Sequence, residues 1–355
     1  METLVDRGRY LRTILMAVLL ATGCVLGMPE GFAQTPTVAA SPSAADGDAA
    51  WLAQLGSRGV RAHDPSTIAE CKDEYWVFCT GRGIPSYHSK DLVTWEPGPH
   101  VFTNALPWVA KAVPGSFSDR DFWAPDITRA GDRYLLYFAA SRFGKNTSAI
   151  GLATNPTLDP DDPHHHWTDQ GIVVQSGADD DFNTIDPAVV QDSDGSLWLA
   201  FGSFWSGIQL IQLDPKTGKR IAPDSPSYPL AHHDSIEASY VYRHGGHYYL
   251  FVNWGLCCHG TNSTYNIRVG RADKITGPYF DKEGVDMLLG GGSLVLGSIG
   301  PFVGPGHAGI VSKGGSDWFS CHFYDATRHG APTLALLPLH WSADGWPEVE
   351  VPRTN

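Results

Sequence analysis

The sequence predicts an all-β fold, a five-bladed β-propeller, on three observations. A short unit recurs five times: a polar residue, a proline or small residue, a polar turn, then an alternating apolar strand. Composition suits short strands, with 39 Gly and 25 Pro as punctuation and 12 Trp, 13 Tyr and 15 Phe to fill cores. No long amphipathic helical period is visible. All-strand units repeating at roughly 50 residues or more indicate propeller blades of about four strands.

In chain order, residues 1–33 read as an export signal. Arg7, Arg9 and Arg12 make a basic start, Thr13 to Leu26 is apolar, and Gly31-Phe32-Ala33 is a small-residue cleavage pattern. The apolar run is short for a membrane span. Ala21-Thr22-Gly23-Cys24 offers a lipoprotein alternative, with anchoring at Cys24. Residues 34–56, rich in Pro, Ala, Ser and Asp, are expected to be a disordered leader.

The propeller is assigned to 57–355. Its units begin at His63-Asp64-Pro65-Ser66, Trp123-Ala124-Pro125-Asp126, Ile185-Asp186-Pro187, Ile236-Glu237-Ala238-Ser239 and Gly306-His307-Ala308-Gly309. The leading polar residues fall at 64, 126, 186, 237 and 307. The third unit is the clearest: an acid, the turn Asp192-Ser193-Asp194-Gly195, and the alternating strand Leu197-Trp198-Leu199-Ala200-Phe201.

The net charge of −13, with no basic stripe, excludes nucleic acid and anionic membrane as expected partners and suits a neutral substrate. A monomer is expected. Five cysteines follow the signal segment, an odd number, so at least one is free or bridges to another molecule. They are read chiefly as buried small apolar side chains.

The first strand of each blade lines the central channel, so Asp64, Asp126, Asp186, Glu237 and His307 are expected to share one funnel. Several carboxylates in one cavity cannot all ionise cheaply, and repulsion with desolvation raises at least one pKa. Glycoside hydrolysis needs this: one carboxylic acid protonates the leaving oxygen and one carboxylate activates water.

Taken together, Ile185-Asp186-Pro187, Gly202-Ser203-Phe204-Trp205-Ser206-Gly207-Ile208, Ile236-Glu237-Ala238-Ser239-Tyr240 and Trp123-Ala124-Pro125-Asp126 resemble family 43 glycoside hydrolases. Asn253-Trp254-Gly255-Leu256-Cys257-Cys258, Ser263 to Arg271, and Gly304-Pro305-Gly306-His307 are similar to the endo-1,5-α-L-arabinanases within it. The export signal implies secretion, and the resemblance implies a five-bladed β-propeller enzyme that cleaves internal α-1,5 bonds of arabinan or arabino-oligosaccharides with inversion. It implies Asp64 as general base, Glu237 as general acid, and Asp186 as the carboxylate that orients the acid and raises its pKa. It further implies a calcium ion near His307, held largely through waters. Trp123, Phe143, Phe204 and Trp205, with Gly151, Asn183 and Ser203, are implied to line the groove.

Trp198, Tyr134 and Tyr249 are expected in inter-blade cores. The alternatives are an exo-acting arabinofuranosidase or β-xylosidase on the same propeller, or a non-catalytic sugar-binding propeller. His164-His165-His166 is read as a surface loop and Gly290-Gly291-Gly292 as a turn. A bridge between the adjacent Cys257 and Cys258 stays open.

Overall fold

The computed structural model describes Leu52 and residues 55–115 and 120–351. The export signal at 1–33, the Cys24 alternative and most of the 34–56 leader lie outside the described residues. Leu52 and Leu55, inside the span expected to be disordered, are buried in a core cluster, so the folded domain begins before position 57.

Period-two patterning produces five antiparallel sheets. Blade 1 holds β1 (Ala69–Cys71), β2 (Glu74–Phe78), β4 (Ser86–Ser89) and β5 (Glu96–Pro97). The two-residue β3 (Gly81–Arg82) crosses to blade 2, beside β6 (Asp121–Ala130), β7 (Arg133–Ala140), β8 (Ser148–Asn155) and β9 (Thr168–Ser176). Blade 3 holds β10 (Ala188–Gln191), β11 (Leu197–Phe201), β12 (Ile208–Leu213) and β13 (Ser227–Ala231). Blade 4 holds β14 (Ile236–His244), β15 (His247–Trp254), β16 (Asn266–Ala272) and β17 (Ser293–Leu296). Blade 5 holds β18 (Phe302–Lys313), β19 (Ser316–Asp325), β20 (Ala331–Trp341) and β21 (Pro347–Val349).

The apolar core is divided into wedges between blades. In β7, Leu136 and Phe138 pack toward Trp76 and Phe78 of blade 1, while Leu135 and Tyr137 pack toward Leu197 and Leu199 of blade 3. Alternate residues therefore serve opposite interfaces, which is why β7 is buried almost throughout. Tyr249 and Phe251 of blade 4 meet Phe319 and Phe323 of blade 5 in the same way. Tyr134 and Tyr249 are core as expected, and Trp198 is partly buried against the wedge between blades 3 and 4.

Every innermost strand carries the same bulge. The pairs Trp123↔Ala139 and Asp126↔Tyr137, Glu237↔Asn253 and Tyr240↔Phe251, and Gly306↔His322 and Gly309↔Ser320 each set two intervening residues against one. Blades 1 and 3 repeat it through Thr80 N–H to His63 O with Ser66 N–H to Phe78 O, and Gly202 N–H to Ile185 O ahead of Ala188↔Ala200. The first bulged residue is left-handed in all five: Asp64 (φ 48°), Ala124 (φ 42°), Asp186 (φ 56°), Ala238 (φ 54°) and His307 (φ 57°). Asp and His tolerate this conformation better than most residues, and the bulge re-aims the side chain at that point. Asp126 therefore stands two residues past the position equivalent to Asp64, and Glu237 one residue before it.

The ring closes through the first segment of the domain. The helical turn Gly56–Gly59 lies along the outer edge of β20, where Ser57 Oγ donates to Leu334 O (2.8 Å) and Leu334 N–H to Val60 O (3.1 Å). Arg58 Nε pairs with the buried Asp325 Oδ2 at 2.9 Å. The chain then runs into β1, so an edge that would be exposed is covered and blade 5 is tied to blade 1. Among the described residues, no helix is long and apolar enough to cross a membrane.

Candidate active site

The bulges gather their side chains around one cavity of about 840 Å³, lined by Asp64, Asp186, Glu237 and His307 together with His63, Thr80 and Tyr265. Residues from all five inner strands or their approaches contribute, including Trp123 of blade 2.

Asp64 is buried among imidazoles. His63 Nδ1 lies 2.7 Å from its Oδ2 and His307 Nδ1 lies 3.0 Å from its Oδ1. Both nitrogens face the carboxylate at close range without the alignment of a hydrogen bond. Thr80 Oγ1 donates to Asp64 Oδ2 (2.6 Å) and itself accepts Ala124 N–H (2.7 Å). Burial alone would raise the Asp64 pKa, but the charges of His63 and His307 outweigh it and hold the carboxyl well below its usual range. The fully buried His322 accepts Asp64 N–H at Nδ1 (3.2 Å), and burial holds it neutral, well below the usual imidazole range.

Glu237 shows the opposite balance. Burial comes first and raises its pKa, against hydrogen bonds from Tyr265 Oη and from Ser203 Oγ (2.7 Å), with the charge of Asp64 raising it further. Asp186 is likewise raised, by burial and then by the charges of Glu237 and Asp64 against the lowering effect of His307, and it accepts Ala238 N–H (3.0 Å). Burial lowers His307, but Asp64, Asp186 and Glu237 together bring it up to about 9. One carboxylate is thus held ionised, and two neighbouring carboxyls are biased to keep a proton between them.

Trp123, Phe143, Asn183, Ser203, Phe204 and Trp205 all line the cavity. Phe143 is 76 % exposed and Trp205 41 %, so both present ring faces to an incoming molecule. Phe204 (φ 52°) and Trp205 (φ 30°) are both left-handed, a strained turn that carries the aromatics to the cavity. Asn183 is fixed by Ser148 Oγ donating to its Oδ1 (2.7 Å).

Two expectations are corrected. Gly151 does not line the cavity: it sits inside β8, where a Cβ would come within 2.7 Å of Phe138 and Trp108. It is a packing glycine. Asp126 is also outside the cavity, because its offset from the left-handed position turns the carboxylate into the ring wall. There it accepts Thr67 N–H (2.9 Å) from blade 1 and Val189 N–H (2.7 Å) from blade 3.

Sequence reading missed His63, Thr80, Tyr265 and His322 as partners of the acids. The first adjoins Asp64, and Tyr265 lies within a quoted motif, but neither position carries a signal without the fold. Cys257 and Cys258 form a disulfide, and Cys71, Cys79 and Cys321 are buried thiols, which accounts for the odd count.

Calcium takes six to eight oxygen ligands. The described residues beside His307 offer one imidazole and the already engaged Asp64 carboxylate, so they do not form a direct calcium cage. His307 Nδ1 faces Asp64 Oδ1 at 3.0 Å, so only Nε2 is left for a hydrated cation, and the ring could ligate one only after giving up the second proton that Asp64, Asp186 and Glu237 favour.

The family model for glycosyl hydrolases family 43 matches residues 59–347. An extracellular exo-α-(1→5)-L-arabinofuranosidase of Cellvibrio japonicus is 42% identical over 308 residues, covering 83% of this chain and 88% of the relative. An extracellular endo-α-(1→5)-L-arabinanase of Bacillus subtilis is 39% identical over 313 residues, covering 86% of this chain and 92% of the relative. An α-L-arabinanase of Cellvibrio cellulosa, solved in complex with arabinohexaose, superposes with a TM-score of 0.78 at 39% identity, covering 82% of this chain and 96% of that one. A match over nearly the whole propeller, at these identities and with this shared fold, makes the chain a member of glycosyl hydrolases family 43.

Proposed function

We propose that this glycoside hydrolase cleaves α-1,5-linked L-arabinofuranosyl bonds within arabinan, with inversion. Glu237 gives its proton to the departing sugar oxygen while Asp64 takes a proton from the water that attacks the anomeric carbon. Asp186 orients the acid through Ala238 N–H, and burial together with the charge of Asp64 keeps Glu237 proton-bearing. The observation that carries the reading is the split within one cavity: Asp64 held ionised by two histidines, Glu237 biased to keep its proton. A neutral furanose chain meets exposed aromatic faces at Phe143 and Trp205 and polar edges at Asn183 and Ser203.

His307 would hold a hydrated calcium ion only as a neutral imidazole, through Nε2, and the ion's positive charge would then take the place of the ring's beside the carboxylates. The extracellular relatives support secretion of this chain as well.

The test is incubation with debranched arabinan, with products followed by chromatography and anomeric form by NMR. A spread of oligomers of inverted configuration is the expected result. Arabinose or one short product alone would assign exo action, which the 42% identical relative keeps in view. No release of reducing sugar would leave a binding propeller.

A further inference from the structure

We propose that Tyr324 and the Cys257–Cys258 disulfide are positioning residues for this reaction, acting together to fix the tautomer of His63 so that its Nδ1–H faces Asp64. The inference rests on the reading of Asp64 as the base. It draws on residues from three blades: the loop after β15, the end of β19, and the segment before β1. Cys258 N–H donates to Tyr324 Oη at 2.7 Å, Tyr324 Oη lies 2.8 Å from His63 Nε2, and His63 Nδ1 lies 2.7 Å from Asp64 Oδ2.

The chemistry of each link sets the direction. A phenol has one proton and accepts through its lone pairs. Tyr324 Oη accepts from Cys258, so its own proton is free to go to His63 Nε2. With Nε2 accepting, the imidazole proton sits on Nδ1. This is also what the other side of the ring requires, because a bare Nδ1 lone pair 2.7 Å from a carboxylate oxygen would be repelled. The ring is held against flipping by stacking on the fully buried His322, with centroids 4.5 Å apart.

The disulfide enters through the backbone. Cys258 is left-handed (φ 70°), and its loop is closed by Thr264 N–H to Leu256 O (2.9 Å) and Leu256 N–H to Thr264 Oγ1 (2.9 Å). Joining side chains of adjacent residues restricts rotation of the peptide between them, which is the peptide whose N–H meets Tyr324. The disulfide also lines the cavity beside His63, with Cys258 Sγ 3.8 Å from His63 Nε2, so the positioning loop and the catalytic carboxylates share one chamber.

The test uses the full chain carrying isotope-labelled histidine, with His63 assigned by loss of its signals in His63→Asn. In two-bond proton–nitrogen correlation spectra under mildly alkaline conditions, the wild type is expected to show His63 protonated at Nδ1 alone. Tyr324→Phe is expected to admit the Nε2-protonated form and to lower kcat on linear arabinan about tenfold, the rate equivalent of one hydrogen bond, with KM unchanged. A Cys257→Ser/Cys258→Ser variant, or wild type reduced with a phosphine, is expected to move both readouts the same way by a smaller factor. A neutral His63 that carries its proton on Nε2 in the wild type overturns the proposal. So does a Tyr324→Phe variant in which either readout stays at its wild-type value. If Tyr324→Phe does not fold, the wild-type spectrum decides alone. That spectrum needs no substrate, so a wild type that leaves arabinan intact would sink the activity reading without touching the tautomer result.

Discussion

Asp64 and Glu237 are both buried, and their partners give each a different sign in the pH profile. As base, Asp64 must be ionised; His63 and His307 hold it low, so activity is lost only as pH falls through a folded pKa below the usual carboxylate range. As acid, Glu237 must carry its proton, so activity is lost as pH rises through its raised pKa. Tyr265 donates to the ionised carboxylate and so works against that rise. Tyr265→Phe should therefore shift the alkaline limb of kcat/KM to higher pH, and an unmoved limb would assign it to another group. Asp186 yields a stability prediction. A carboxyl raised in the folded state stabilises most below its unfolded pKa and progressively less as pH rises toward its folded value. Asp186→Asn keeps an acceptor for Ala238 N–H and removes the charge. At neutral pH it should raise Tm by about 2–4 °C while abolishing turnover. A lower Tm in calorimetry would contradict the electrostatic account.

At the scale of the element, the bulge on each inner strand determines what an acid can do. Placed at the left-handed position or one residue before it, the side chain enters the cavity; two residues after it, the carboxylate ties blades together. Asp126→Ala would strand two backbone N–H groups, at a cost of roughly 2–5 kcal/mol. It should lower Tm strongly while leaving the KM of the folded fraction as it was; a raised KM would return Asp126 to the site. Gly151→Ala should behave alike, by about 1–3 kcal/mol, because its Cβ would press on Phe138 and Trp108. The strands and their turns were legible in the sequence, since alternation and Asp-Gly or Gly-Gly corners are local signals. The bulge register was not. Asp126 follows its proline where Asp64 and Asp186 precede theirs, an offset of two once the prolines are aligned, but only pairing with the next strand shows which of those positions is left-handed and faces the cavity.

The whole molecule depends on joining its ends. Arg58 pairs with the buried Asp325, accepts Arg328 Nη1 at its carbonyl (2.6 Å), and lies in the segment that covers β20. Arg58→Ala would leave a buried carboxylate without its cation, at a cost of about 3 kcal/mol. Denaturant unfolding should show this as a lower midpoint, and an unchanged midpoint would mean the ring closes by apolar packing alone. By itself the sequence determined that five β units recur and that each opens on a polar residue, because turn chemistry and alternation act over a few neighbouring residues. Only the tertiary structure decided which of those polar residues share the cavity, which carboxyl is ionised, and that His63, Tyr265 and Tyr324 surround them. Those outcomes depend on bulge register and on contacts between residues as far apart as His63 and Tyr324, where burial and neighbouring charge, rather than local pattern, set the chemistry.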